Sequence, residues 1–438
     1  MQRKPIGFIC LLALTVLCSL ALLGCIETFV STYTVDYLAN GADSGRVPLS
    51  QTKTQGVGLT LSENSNALAK TGSLFWGWNT APDGSGNHYE ETSLYTADAN
   101  LVLYAEWKTE KPYGSTDYDA DGAPADLSIP SVYTSITSYT FAGRTGLTRI
   151  SIPSSVFAIG DYAFYFCSGL TGITIPNRVT SIASWTFAHC SGLENVSLPS
   201  RVTSIGASAF INCTKLASIS LPTSMTVIGA SAFSGCTGLM RMNIPNGVTS
   251  IGDHAFTGCT GLTEITLPDS VLSLGDSVFS DCTKLARISI PNRLSSISMY
   301  AFYGCTGLTS VTIPSSVTSI GTYAFYGCTG LTSVTIPSSV TSIGPSVFKN
   351  CTDLAVTLGD GMTSVPDSGF KDCTGMKRIT IPSSVTSIGS SAFSGCTILE
   401  NINFKGTTTQ WNAVTKGNDW KTNIPATTVV CSDGSVTL

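Results

Sequence analysis

Charge is scarce in this chain. Of its 438 residues only 12% are Asp, Glu, Lys or Arg, and the formal net charge is −5. No basic stretch exists to neutralise a phosphate backbone or an anionic bilayer, which argues against nucleic-acid and headgroup binding. Histidine is scarcer still, with three copies at His88, His189 and His254. His88 falls in a different region from the other two, and those occupy variable positions of separate units, so no general base gathers partners around it. A His-Glu-x-x-His pair, a Gly-rich phosphate loop and a nucleophile elbow are also missing. Serine is abundant, but it recurs without a base beside it. The expectation is a chain with no catalytic residues, no metal site and no cofactor, whose polar surface comes from Ser, Thr, Asn and Gly. Beyond the first 25 residues no apolar run is long enough to span a bilayer.

Those first residues read as an export signal: Arg3 and Lys4 precede "FICLLALTVLCSLALL", a run too short to span comfortably. The ending Leu22-Leu23-Gly24-Cys25 resembles a bacterial lipobox. That resemblance implies a lipoprotein signal peptide over 1–24, lipidation of Cys25 after cleavage and a tether over 25–30. It places the protein outside the cell, at the bacterial surface or outer membrane, touching the membrane only through its lipid anchor. An ordinary secretory signal with an incidental Cys25 is the alternative.

Residues 31–108 carry β-type alternation in "TYTVDYLA", "VGLTLS" and "NLVLYAEW", and "NTAPDGSGN" has the composition of a turn. The stretch "LFWGWNTAPDGSGNHYEE" with "LYAEW" resembles the Listeria-Bacteroides repeat, a small β-grasp-like module of bacterial surface proteins. The resemblance implies core positions at Phe75, Trp78, Tyr89, Leu103, Tyr104 and Trp107. The next segment, 109–124, is rich in Gly, Pro, Asp and Ser and reads as a linker.

Beyond it the chain repeats itself. "YAFYGCTGLTSVTIPSSVTSIG" fills residues 300–321 and returns unchanged at 323–344. Cysteines mark the period: Cys167, Cys190, Cys213, Cys236, Cys259, Cys282, Cys305, Cys328 and Cys351 are each 23 residues apart, and Cys373 and Cys396 follow at steps of 22 and 23. Arg144 holds the equivalent place one unit earlier, which makes about twelve units with an atypical first member, as solenoid ends usually are. Within a unit Leu308-x-x-Val311-x-Ile313 is a leucine-rich-repeat strand pattern. The 23-residue unit resembles the BspA-like subclass of leucine-rich repeats over 125–404, leaving 405–438, with Trp411 and Trp420, as a C-terminal cap. The expected fold is mainly β: a leucine-rich-repeat solenoid preceded by a small β-grasp-like domain.

Eleven cysteines in register admit three readings. A metal site needs four converging ligands, which a ladder of one thiol per step does not supply. Disulfides fit the spacing of neighbouring strands, but the side chains would all point one way and eleven is an odd number. A ladder of buried structural thiols is the favoured expectation. Cys431 lies outside the register.

Recognition should use the columns that vary between units. The outward strand column runs Ser151, Thr174, Ser197, Ser220, Asn243, Thr266, Ser289, Thr312, Thr335, Thr357 and Thr380, a ribbon of hydroxyls with one amide. The preceding outward column places Arg241, Glu264 and Arg287 in sequence. Aromatics gather elsewhere, as Tyr139, Tyr162, Tyr165 and Trp185 early in the array and as Tyr300, Tyr303, Tyr323 and Tyr326 in the identical units. Tyr and Trp suit contact surfaces because they combine large area with a polar tip. Each feature also has a plain structural explanation: Thr and Ser favour exposed strands, Arg and Glu pair across neighbours, and Tyr packs on adjacent turns. The BspA resemblance implies an adhesin-like role, with an extracellular-matrix or cell-surface protein as partner. A carbohydrate-binding protein and a spacer without ligand are the alternatives.

Overall fold

The computed structural model describes residues 30–438. Cys25 and the export signal lie outside them. Contacts divide the chain after Glu110 into two units.

The first unit holds seven short strands, five of them in one sheet: β1 (Thr32–Leu38), β2 (Gln51–Thr54), β3 (Leu59–Thr60), β4 (Ser73–Asn79), β5 (His88–Tyr89), β6 (Leu94–Tyr95) and β7 (Leu101–Thr109). The sheet order is β2-β1-β7-β4-β5, and β3 pairs with β6 outside it. Only β1 and β7 run parallel among the neighbours in this sheet. Val35, Tyr37, Trp78, Leu103 and Ala105 form its core, with Phe75, Tyr89 and Trp107 packed at the margin. Tyr104 departs from the expected core. It alternates with Leu103 and Ala105 along β7 and so faces the opposite side of the sheet. A bulge interrupts β4 between Phe75 and Gly77. Gly77 sits there at φ +136°, and a Cβ would come within 2.6 Å of the Tyr89 carbonyl oxygen, so the bulge requires glycine.

The second unit is a β-solenoid of about 14 turns. Each regular turn contributes one three-residue strand, such as Ser310–Thr312, and one two-residue strand, such as Ser319–Ile320. Both kinds pair in parallel with their counterparts in adjacent turns. Leu, Val and Ile alternate inward on the strands, and the segment before each Cys buries one phenylalanine. From Phe141 to Phe393 these rings form one continuous stack, with centroids 4.9–5.7 Å apart and planes within 19° of parallel. The three-residue strand is missing once, at 218–220, where the ladder between Asn195–Ser197 and Arg241–Asn243 is interrupted.

The array is longer than its cysteine register, because unlike sequences build the two ends. The stretch read as a linker is instead the first turn from Lys111 onward. Pro112–Tyr113 pairs with Ser135–Ile136, and helix α1 (Ser115–Ala120) folds over the open end. Tyr113 and Tyr118 are buried, and Tyr118 meets Phe141 edge-on at 5.2 Å and 85°. The hydrophilic composition of 109–124 conceals this, since its acidic residues serve as hydrogen-bond acceptors: Asp117 receives Tyr133 Oη at 2.9 Å and Asp121 receives Tyr113 Oη at 2.6 Å. At the other end Trp420 closes the phenylalanine stack, also edge-on, at 75°. Helix α2 (Thr408–Ala413) begins with a reciprocal Thr407–Gln410 cap and buries Trp411, and an antiparallel hairpin of Thr428–Cys431 with Gly434–Thr437 ends the sheet.

Candidate functional site

The cysteines form a single internal column. All eleven are buried and free, and each Sγ lies 3.0–3.2 Å from the carbonyl oxygen of the phenylalanine one turn earlier. The thiol therefore does more than fill space, because its S–H donates to a buried carbonyl. Arg144 holds the position of the Cys one repeat before Cys167, where it serves a different purpose: its Nη2 reaches Asp119 of α1 at 2.6 Å, and its guanidinium lies over Tyr118. Burial pushes the Cys167, Cys259, Cys305, Cys351 and Cys396 thiols up to about 12. It raises the remaining six in the register as well. Neutral thiols at this depth are poor nucleophiles. Cys431 is buried in the terminal hairpin, away from the column.

Hydroxyls are used in two different ways. In several columns the Thr Oγ1 donates to a carbonyl one turn earlier, as in Thr263 to Met240 at 3.0 Å, Thr309 to Ala286 at 3.1 Å and Thr226 to Thr203 at 3.0 Å. Ser270, Ser316 and Ser339 likewise donate to main-chain oxygens. The ribbon from Ser151 to Thr380 behaves otherwise. Its side chains stand outward along the three-residue strands, and among the described residues none of them bonds to another part of the protein. Their hydrogen-bonding capacity faces solvent.

Arg241, Glu264 and Arg287 lie directly opposite one another in consecutive strands of this face. Arg241 Nε is 3.8 Å from Glu264 Oε2, with both side chains mostly exposed, a pairing that contributes about 1 kcal/mol at most. Two grooves flank the missing strand at 218–220. One of about 640 Å³ includes Arg149, Gly172, Asn195 and Ser218 in its lining, and another of about 500 Å³ includes Ser218, Met240, Arg241 and Lys284.

The early aromatics form one patch on the segment that precedes each Cys. Tyr139 stacks on Tyr162 at 4.7 Å, and Tyr162 stacks on Trp185 at 5.6 Å. Tyr165 stands edge-on to Tyr162 and Trp185. Phe166 and His189 belong to the same patch, though the sequence pointed to neither as a contact residue; their rings stack at 4.3 Å, and both meet Tyr165. A signal for them existed. The position before Cys has a left-handed backbone in turn after turn, held by Gly143, Asn212, Gly235, Gly258, Asp281 and Gly304 among others, whereas Phe166 and His189 take φ +57° and +61° there. A bulky side chain in that conformation costs about 1–2 kcal/mol. Phe166 gains no core burial in return, being 43% exposed, and Tyr139 is 57% exposed. Tyr300 and Tyr323 stack at 4.9 Å, as do Tyr303 and Tyr326, to make a second, smaller patch.

The three histidines have separate surroundings. His88 Nδ1 is 2.9 Å from Glu106 Oε2 in the first unit. His189 lies in the aromatic patch with its pKa lowered by burial, and exposed His254 sits beside Thr257 three turns on.

Comparison with known proteins accords with this architecture. The profile of the BspA type leucine rich repeat region matches residues 123–240, 226–355 and 352–415, and that of the Listeria-Bacteroides repeat domain matches 33–106. The chain belongs to the BspA type leucine-rich-repeat family and carries a Listeria-Bacteroides repeat domain ahead of the repeats. Among solved structures it is similar to a leucine-rich repeat protein from Bacteroides ovatus ATCC 8483, with 30% identity over 67% of this chain and 91% of that one and a TM-score of 0.48. A leucine rich cell surface protein from Faecalibacterium prausnitzii A2-165 shows 28% identity over 66% of this chain and 90% of that one, with a TM-score of 0.47. A curated protein of Evansella cellulosilytica named as a Gly-rich membrane protein is 32% identical over 128 residues, 25% of this chain and 15% of that protein. The chain thus spans a small fraction of that relative. No helix among the described residues is long and apolar enough to cross a membrane.

Proposed function

We propose that the solenoid is the binding region of an exported, adhesin-like surface protein, and that the three-residue-strand face contacts an extracellular-matrix or cell-surface protein. The observation that carries this reading is the ribbon from Ser151 to Thr380. Among the described residues its side chains make no bond within the protein, whereas those of other columns, such as Thr226, Thr263 and Thr309, donate to carbonyls one turn earlier. Exposed along so many turns, these groups are available to exchange their water for the donors and acceptors of an extended partner. The Arg241–Glu264–Arg287 ladder adds charge of both signs in mid-array, suited to fixing the register of a long polar partner. Export with acylation at Cys25 belongs to the same reading, supported by the lipobox-like Leu22-Leu23-Gly24-Cys25.

The test is binding of the purified protein to immobilised fibronectin, fibrinogen and collagen, beside an Arg241→Ala/Arg287→Ala variant. Saturable binding that weakens about tenfold in the variant is the expected result. No binding to any matrix or host-cell preparation would favour a spacer role.

A further inference from the structure

In the groove at Met240, beside the three-residue-strand face, exposed apolar surface and unpaired cations meet. Thr148, Thr171, Thr263, Thr309 and Thr332 hold the place of Met240 in other turns, and each donates its Oγ1 to a carbonyl one turn earlier. Ala217 and Met240 interrupt that column and have no hydroxyl to donate. With the short side chains of Ala217 and Thr263 as its register neighbours, Met240 stands 59% exposed. The rest of the lining is small, Gly238 and Gly261 included, apart from Arg241 and Lys284. Among the described residues Lys284 makes no ion pair, and Arg241 has only the long 3.8 Å contact to Glu264. Arg287, opposite Glu264 on its other side, makes none.

The other charges of these turns do not cancel this excess. Lys215 is matched by Glu194 at 3.5 Å. Asp253, Asp269, Asp276 and Asp281 lie on other segments and accept hydrogen bonds within the protein. In a chain of net charge −5, Arg241, Lys284 and Arg287 therefore face outward here with the single carboxylate of Glu264 among them.

From this arrangement we infer that the Met240 groove receives an acidic residue of the partner protein together with a large apolar residue beside it. Arg241 and Lys284 take the carboxylate, and the apolar side chain covers Met240, whose flexible thioether adapts to aliphatic and aromatic groups alike. Burial of the methionine supplies affinity, and the cations supply register. The volume of about 500 Å³ suits a few side chains of an extended segment. Such a segment can continue past Ser218, which this groove shares with the neighbouring one at Asn195 and Arg149. A sulfated polysaccharide is the poorer match, because Glu264 between Arg241 and Arg287 would oppose its successive negative groups and it has nothing apolar to lay on Met240. The inference rests on the protein-binding reading and names the chemistry of the segment that is bound.

The probe is a library of random peptides displayed on phage, panned against the purified full-length protein, with the enriched peptides synthesised and titrated by fluorescence anisotropy. Enriched sequences should place Asp or Glu beside a large aliphatic or aromatic residue. Their binding should weaken at least tenfold in Lys284→Glu and in Met240→Ser, and should fall as salt is raised from about 50 to about 500 mM. Both side chains are exposed, so these variants should fold. Lys377→Glu, an equal charge reversal farther along the array, should leave binding unchanged. The inference is overturned if no peptide is enriched, if the enriched peptides lack an acidic residue, if Lys284→Glu or Met240→Ser binds as wild type does, or if heparin binds in place of any peptide. The two readings fail separately. Matrix binding that survives both Lys284→Glu and Met240→Ser removes the subsite and keeps the strand face, whereas a protein that binds such peptides but no matrix protein keeps the subsite and loses the matrix partner.

Discussion

Alkaline pH should dismantle the solenoid, and the thiol column sets the size of the effect. In the folded protein burial raises five of the register thiols from the ordinary 9.0 to about 12 and holds the other six well above 9.0. The unfolded chain therefore releases its thiol protons near pH 9, while the folded chain keeps them. A group whose folded pKa is raised contributes its full stability below the unfolded value, and the contribution is lost as pH climbs from 9 through the folded value. Each thiol then costs about 1.4 kcal/mol per pH unit above 9. At pH 10 the eleven in register sum to a loss on the order of 15 kcal/mol if the turns melt together. Thermal unfolding followed by circular dichroism at pH 8, 9 and 10, with a reductant present, measures the loss. Tyrosine and lysine titrate in the same range, so the informative comparison is a Cys236→Ala/Cys259→Ala/Cys282→Ala variant. It should start less stable at pH 8 and lose about a quarter less between pH 9 and pH 10. Equal melting temperatures for wild type at pH 8 and pH 10, or the same pH dependence in the triple variant, would refute the reasoning.

Three further outcomes follow from the packing. Ellman's reagent should label almost none of the described cysteines in the native protein and all twelve after denaturation, because every one of them is buried; rapid labelling of several native thiols would contradict the column. Tyr118→Ala should destabilise the solenoid by about 3–5 kcal/mol, since it removes a fully buried ring from the end of the phenylalanine stack; for the same reason a fragment starting at 125 should aggregate where one starting at 111 stays soluble, as light scattering would show. Gly77→Ala should cost the first unit about 1–3 kcal/mol by denaturant titration, because a Cβ at that bulge meets the Tyr89 carbonyl.

The repeat by itself determined most of the fold. A 23-residue period with Phe, Cys, Leu, Val and Ile in constant places leaves each unit unable to bury its apolar face except against a copy of itself, so the stack, its parallel ladders and the inward cysteines were legible in the sequence. The columns free to recognise a partner were legible as well, because alternation along a strand dictates which residues point outward. The ends were not. Residues 111–120 resemble a linker in composition, and only the tertiary structure shows Tyr113 and Tyr118 buried against the first phenylalanine, with Asp117 and Asp121 turned into acceptors for tyrosine hydroxyls. Tyr104 was misplaced for a different reason: the family resemblance assigned it to the core beside Leu103, although adjacent residues of one strand face opposite sides of the sheet. The bond from each thiol to a phenylalanine carbonyl, and the gathering of Phe166 and His189 with Trp185, depended on which atoms adjacent turns bring together. A period states that turns stack, but the hydrogen bonds and ring contacts across the stack are made between residues a full turn apart in the chain, and they exist only once the chain has closed each turn upon the last.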